Sequence, residues 1–186
     1  MESNSIFNIR DFHARGDGKI RDTAAIQAAI DQCAAAGGGR VLCPPGTYLT
    51  GTIYIRSNVD LHLTAGATLL GSTERSDYDA KWGTFQAHTD EEKAQSCFAS
   101  IAPEHLIASR NERNVSITGF GTIDGQGDTF FGPLDPAWHP TTLTVRGWRP
   151  FRMIAFVECR NVTIENVSII NAPCWSLWPL ACDTVK

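Results

Sequence analysis

The sequence predicts an all-β solenoid, a parallel β-helix of short strands capped near its N-terminus by one α-helix. Three observations carry this. The motif Asn-Val-polar-apolar recurs at Asn58, Asn114 and Asn161, with a weaker copy at Thr184-Val185. Cys159-Arg160-Asn161-Val162 and Cys182-Asp183-Thr184-Val185 match position for position, 23 residues apart. One convincing helical pattern lies near the start, and nearly everything after it reads as short strands punctuated by Gly, Asn, Pro and Asp. A repeat in the low twenties marks a solenoid, because one rung cannot bury its apolar positions alone and must stack on the next. Leucine-rich repeats have a similar period, but their leucine/asparagine ladder is absent.

The helix spans Asp22 to Ala36. Asp22 and Thr23 suit its N-cap, Ile26, Ile30 and Cys33 recur on one face, and Gly37-Gly38-Gly39 ends it by supplying positive φ at no steric cost. Its expected role is to cover the open end of the first rung, which would otherwise expose apolar side chains and strand edges.

Strand alternation is clear in Asn58-Val59-Asp60-Leu61-His62-Leu63, with Val59, Leu61 and Leu63 on one face. It recurs at Asn114-Val115-Ser116-Ile117 and Asn161-Val162-Thr163-Ile164, and again at Val167-Ser168-Ile169 after a bend at Glu165-Asn166. The step of 47 residues from 114 to 161 reads as close to two periods. The longer step from 58 to 114 contains a polar stretch, about 74–97, read as an inserted loop. A single domain over residues 1–186 follows.

Composition narrows the function classes. With 42% hydrophobic and 19% charged residues and a net charge of −4, the chain has a globular composition and no basic footprint for nucleic acid. No apolar run is long enough for a membrane span, and the start Met-Glu-Ser-Asn-Ser-Ile-Phe is no leader, so the cytoplasm is expected if Met1 is the native start. Cys33, Cys43, Cys97, Cys159, Cys174 and Cys182 form neither C-x-x-C pairs nor a mixed Cys/His cluster. They read as buried, inert thiols, and neither a metal nor a cofactor is expected.

Two stretches resemble a known family. Asp17-Gly18 through Ile30, followed by Gly37-Gly38-Gly39 and Pro44-Pro45-Gly46-Thr47-Tyr48, looks like the opening of the pectate-lyase-like β-helix superfamily. Asn114-Val115-Ser116-Ile117-Thr118-Gly119-Phe120-Gly121-Thr122-Ile123-Asp124-Gly125-Gln126-Gly127 is similar to a polygalacturonase motif of glycoside hydrolase family 28. So are Arg149-Pro150, Cys159, Asn161 to Ile164, and Asn171-Ala172-Pro173-Cys174-Trp175-Ser176-Leu177-Trp178-Pro179. The resemblance runs from about residue 11 to 186 apart from the loop after Gly71, in the right order and spacing. It implies a right-handed, single-stranded parallel β-helix that hydrolyses galacturonic acid linkages of pectin with inversion. In that family the chemistry comes from Asn-Thr-Asp, Asp-Asp, Gly-His-Gly and Arg-Ile-Lys segments, and none of them occurs here. By rung spacing Asn-Thr-Asp is expected roughly 20 residues past Trp175–Pro179. The chain is therefore expected to be an N-terminal portion lacking its last rungs, with no catalytic residue of its own.

The candidate substrate-binding residues are Trp175 and Trp178, one rung below the expected Asn-Thr-Asp. Three apart on a strand, they cannot both face one side; one is expected in the core and the other near the sugar cleft. Asp124 and Asp128 read as turn residues capping backbone amides, in preference to an acid/base pair or calcium site. Arg146, Arg149 and Arg152 read either as uronate ligands or as solvated loop charges. Trp138, Trp148, Phe130 and Phe131 either wall a cleft or pack over the barrel side. The histidines are dispersed, each solvent-facing or hydrogen-bonded. The expected partner is a pectic oligo- or polysaccharide, with self-association through the open last rung. A non-catalytic saccharide-binding β-helix is the alternative of another class. A pectate lyase is weaker, for want of the lyase arginine and calcium-aspartate arrangement.

Overall fold

The computed structural model describes residues 5–79, 104–134, 143–145 and 147–186. Three parallel sheets run along a right-handed β-helix, each coil contributing one strand to each sheet in turn. Sheet A holds β1 (Ile6–Asn8), β3 (Gly39–Cys43), β6 (Val59–Leu63), β9 (Arg113–Gly119), β14 (Arg160–Glu165) and β17 (Asp183–Val185). Sheet B stacks β2 (Asp17–Arg21), β4 (Gly46–Thr50), β7 (Ala67–Gly71), β10 (Thr122–Asp124) and β15 (Ser168–Ile170). Sheet C stacks β5 (Ile53–Tyr54), β8 (His105–Arg110), β13 (Arg152–Val157) and β16 (Trp175–Leu180).

Helix α1 (Thr23–Ala35) lies between β2 and β3 in the chain, where a coil would place its sheet C strand. Ile26, Ala29, Ile30 and Cys33 are buried, and the helix packs against β1, β3, β5 and β6. It thus closes the barrel end, as its amphipathic spacing implies. Its cap differs from expectation. Asp22 makes no side-chain bond to the helix; its carboxylate instead accepts the Arg15 and Gly16 amides at 2.6 and 3.0 Å. The loop before β2 needs those acceptors, so it takes the carboxylate that helix propensity assigns to α1. Thr23 Oγ1 is likewise drawn away, accepting from the Gly51 amide at 2.9 Å. After α1, Gly38 has φ of 118°, and a Cβ there would lie 2.5 Å from the Asn58 carbonyl oxygen.

Inside the coils, like residues stack on like. Val41 pairs with Leu61, Leu61 with Ile117, Ile117 with Ile164, and Val162 with Val185. Tyr48, Leu69, Ile123 and Ile169 form the sheet B row, and Ile53, Ile107, Ile154 and Leu177 the sheet C row. Most of these side chains are fully buried, each such aliphatic contributing about 1.5–3 kcal/mol of hydrophobic stabilisation.

The recurrent asparagines have a backbone cause. Asn58, Asn114 and Asn161 all occupy the left-handed region, with φ of 63°, 52° and 55°, where asparagine is tolerated because its short side chain bonds locally. Each amide reaches the next: Asn114 Nδ2 donates to Asn58 Oδ1 at 2.8 Å and Asn161 Nδ2 to Asn114 Oδ1 at 2.9 Å. Thr184, φ 59°, takes the corresponding position in the following coil.

One reading of the repeat is corrected. β9 and β14 are direct neighbours, with Val115 opposite Val162, so the 47-residue step is one coil and not two. The surplus leaves the helix between sheets B and C, as a 3-10 turn (Gly127–Phe130) and the antiparallel pair β11 (Phe131–Leu134) and β12 (Leu143–Val145). Residues 72–79 leave the helix at the same corner, after β7. They form a 3-10 turn at Arg75–Asp77; the remainder of the expected loop at about 74–97 lies outside the described residues from position 80 onward.

Candidate functional site

Sheet C changes character along its length. Residues His105 to Ser109 of β8 and Arg152 to Val157 of β13 are all buried, the pattern of parallel strands covered on both faces. β16 is open, with Trp175 44% exposed. Across the outer face Ala108 aligns with Ala155, and Ala155 with Trp178, since their neighbours Ile107, Ile154 and Leu177 point inward. Ala108 and Ala155 are themselves fully buried, so the sheet opens only at β16.

Neither Trp175 nor Trp178 joins the buried core cluster, contrary to the expectation that one of them would. Leu177 takes the inward position between them. Trp175 stacks against Phe151, centroids 6.4 Å apart at 30°. Trp178 carries the Arg152 guanidinium over its ring, 3.3 Å from the centroid.

The arginines also depart from the solvated reading. Arg152 is only 1% exposed. The adjacent Met153 and Ile154 both belong to the core, so alternation breaks there and Arg152 emerges on the outer face against Trp178 and Phe151. Burial lowers its pKa to about 10, with the nearby Cys174 thiol acting in the opposite sense; it is cationic at neutral pH. Arg149 donates from Nη1 to the Pro173 carbonyl at 2.6 Å and lies 5.9 Å from the Phe151 centroid, tying β13's lead-in to that of β16. Arg146 lies outside the described residues.

His105, Arg152 and Trp175 occupy one position on three successive coils. His105 is buried, and its pKa is pushed down to about 4, first by burial and then by the Arg152 charge, against a hydrogen bond to the Arg152 backbone and the Glu104 charge. It is neutral near pH 7. Glu104 accepts from Arg75 Nε and Nη2 at 3.2 and 2.9 Å. Composition concealed this cluster; its one sequence signal is a cation heading the apolar strand Arg-Met-Ile-Ala-Phe-Val.

Other candidates take structural roles. Asp124 Oδ1 accepts from the Gln126 amide at 2.9 Å and Asn171 Nδ2 at 3.1 Å, the turn role expected. With Gln126, Asp128, Thr129 and Asn171 it lines an open polar pocket of about 190 Å³. No group of three His, Cys, Asp or Glu among the described residues is placed to hold a metal. Phe130 and Trp148 pack edge-to-face at 5.5 Å, and Trp148 and Tyr78 at 5.1 Å, so these aromatics cover the barrel side; Trp138 lies outside the described residues. His62 Nδ1 lies 2.8 Å from Thr118 Oγ1. Cys33, Cys43 and Cys159 are buried and free. Desolvation raises Cys33 to about 11 and Cys43 to about 12, which makes them poor nucleophiles. Cys174 and Cys182 are half-buried rather than buried, and Cys97 is outside the described residues.

Residues 6–76 match the family described as rhamnogalacturonase A/epimerase, pectate lyase-like. An exo-poly-alpha-D-galacturonosidase of Dickeya chrysanthemi is 35% identical over 130 residues, 66% of this chain and 20% of that protein. The family 28 exopolygalacturonase of Yersinia enterocolitica superposes on 98% of this chain with a TM-score of 0.75 and 26% identity, over 37% of its own length. The chain belongs to the pectate-lyase-like β-helix superfamily and is similar to polygalacturonases of glycoside hydrolase family 28. A Vitis vinifera protein named "Probable polygalacturonase" is 29% identical over 91% of the chain and 33% of that protein. This family 28-like chain thus spans a fifth to about a third of the curated relatives named. Among its described residues no helix is long and apolar enough to cross a membrane.

Proposed function

We propose that this chain forms the lead-in coils of a polygalacturonase-like glycoside hydrolase acting on galacturonic acid linkages of pectin or oligogalacturonides by inverting hydrolysis. The observation that carries the reading is the outer face of sheet C. It offers an exposed tryptophan, Trp175, and a second, Trp178, in contact with the Arg152 cation, an arrangement suited to stacking on an acidic sugar. Inverting hydrolysis needs a carboxylic acid and a carboxylate base roughly 6.5–9.5 Å apart with water between them. Residues 1–186 contain none of the family's catalytic segments, so the reading assigns the acid and base to coils stacked beyond β16 and β17. Within this chain Trp175 and Trp178 are the substrate-binding residues. In isolation the chain also self-associates, because β15, β16 and β17 end their sheets as unpaired edges.

The test is calorimetric titration of the chain with trigalacturonate. Saturable binding is expected, weakened about tenfold by Trp175→Ala, since 1.4 kcal/mol is one decade and an aromatic stack is of that order. Heat without saturation, or an unaffected Trp175→Ala, overturns the assignment of this face. The second reading is a non-catalytic saccharide-binding β-helix. Binding without turnover by the full-length gene product would select it.

A further inference from the structure

Arg152 is a cation that the described chain leaves without an anion. It is 1% exposed, and no Asp or Glu among the described residues forms an ion pair with it. Two of its nitrogens, Nε and Nη2, are buried with no hydrogen-bond partner. These two lie on the same side of the guanidinium plane's edge, and they form the side-on fork that matches the two oxygens of a carboxylate. The other features of the position leave that fork without a protein partner. Trp178 lies over the cation at 3.3 Å and Phe151 at 5.1 Å; aromatic rings engage the delocalised cation and leave its in-plane donors unsatisfied. Glu104, at β8's lead-in, is held through Oε1 by Arg75, while its Oε2 is buried without a partner and makes no ion pair with Arg152. Buried donors left unpaired are costly, and buried charges are ordinarily paired.

We propose that the Nε/Nη2 edge of Arg152 is a carboxylate-binding fork that holds a uronate of the substrate against Trp178 on the outer face of sheet C. The assignment of galacturonate as the sugar rests on the function proposed above; the fork itself rests on Arg152. Its place on β13, one coil before Trp175 and Trp178, makes it a specificity-determining residue that distinguishes free acid from ester.

The experiment is equilibrium binding of trigalacturonate and of its fully methyl-esterified form to the 186-residue chain and to Arg152→Met and Arg152→Lys. The wild type is expected to prefer the acid by about 10- to 100-fold, the range of one charge-assisted hydrogen-bonding contact. Arg152→Met binds both forms at the ester's affinity. Arg152→Lys keeps only part of the preference, because an ammonium is a point charge without a planar fork. A wild type that binds both forms alike, or a preference that survives in Arg152→Met, overturns the proposal. Should Arg152→Met fail to fold, the wild type still decides. Its Arg152 Nε–H resonance must move on titration with the acid and not with the ester, and an unmoved resonance during acid binding overturns the fork. An Arg152-independent affinity for trigalacturonate sinks the fork and leaves the galacturonan reading standing. An Arg152-dependent preference for a glucuronate oligomer, with none for trigalacturonate, keeps the fork and sinks the galacturonan reading.

Discussion

Asn114 sits mid-ladder, bonded to Asn58 on one side and Asn161 on the other, with φ of 52°. Two penalties are therefore separable there. Asn114→Gly removes both side-chain bonds and keeps the left-handed backbone easy, whereas Asn114→Ala removes the bonds and adds conformational strain. Chemical denaturation is expected to show the alanine variant less stable than the glycine variant by roughly 1 kcal/mol. Equal stabilities would mean that the ladder turn is not strained for other residues. His105 carries a pH signature. Its folded pKa, about 4, lies below the unfolded value of about 6.5, so the unfolded state binds more protons between them. The contribution is thus fully present above pH 6.5 and is lost as pH falls toward 4, amounting to about 3 kcal/mol. The denaturation midpoint should fall further between pH 7 and pH 4.5 in wild type than in His105→Gln; a wild type no more acid-sensitive than the variant would contradict the buried neutral state. The asparagine repeat was legible because it recurs in the chain, although its φ cause was not. Arg152 was less legible, because composition treats every arginine as a surface charge, and the break in alternation at Met153–Ile154 that buries it is a feature of packing.

Among the elements, α1 was legible from its alanines and the Ile26, Ile30, Cys33 spacing, and the glycines that follow it fixed its end. Its cap was not, since the competing amides of Arg15 and Gly16 come from a loop whose path depends on β2 and β4. Asp22→Ala is expected to destabilise the protein by about 1–3 kcal/mol through those two unsatisfied amides, while far-ultraviolet circular dichroism retains the helical contribution. Loss of helix in the folded variant would restore Asp22 to the capping role. At the end of β9, Gly119 has φ of 111° and a Cβ added there would lie 2.0 Å from the Leu63 carbonyl oxygen. Adjacent coils cannot approach there with any side chain, so Gly119→Ala should cost about 3 kcal/mol or more in urea unfolding. A loss under 1 kcal/mol would show that β6 and β9 can separate locally. The 47-residue step shows why coil number is hard to read from repeat length: an excursion of roughly one period is indistinguishable from a coil until the pairing of β9 with β14 is seen.

For the whole molecule, three sheets of aliphatic ladders and a helical end cap follow from the short repeat, and that much was legible in the order of strands and turns. The candidate site was only partly legible, because the contact between Arg152 on β13 and Trp178 on β16 joins residues of two coils whose pairing the sequence does not state. Isolated as 186 residues, the chain presents Ile170, Trp175 and Val185, each over 40% exposed and one on each of β15, β16 and β17. Sedimentation is expected to show concentration-dependent association, and a monomer at every concentration would mean that these edges are protected. The central claim is that these coils serve an inverting galacturonan hydrolase. Its most direct test is to incubate the full-length gene product with oligogalacturonides and follow reducing ends together with the anomeric configuration of the first product. The account predicts release of new reducing ends with the anomeric centre inverted. Release with retention, or no release from any oligogalacturonide by a folded protein that binds them, would contradict it.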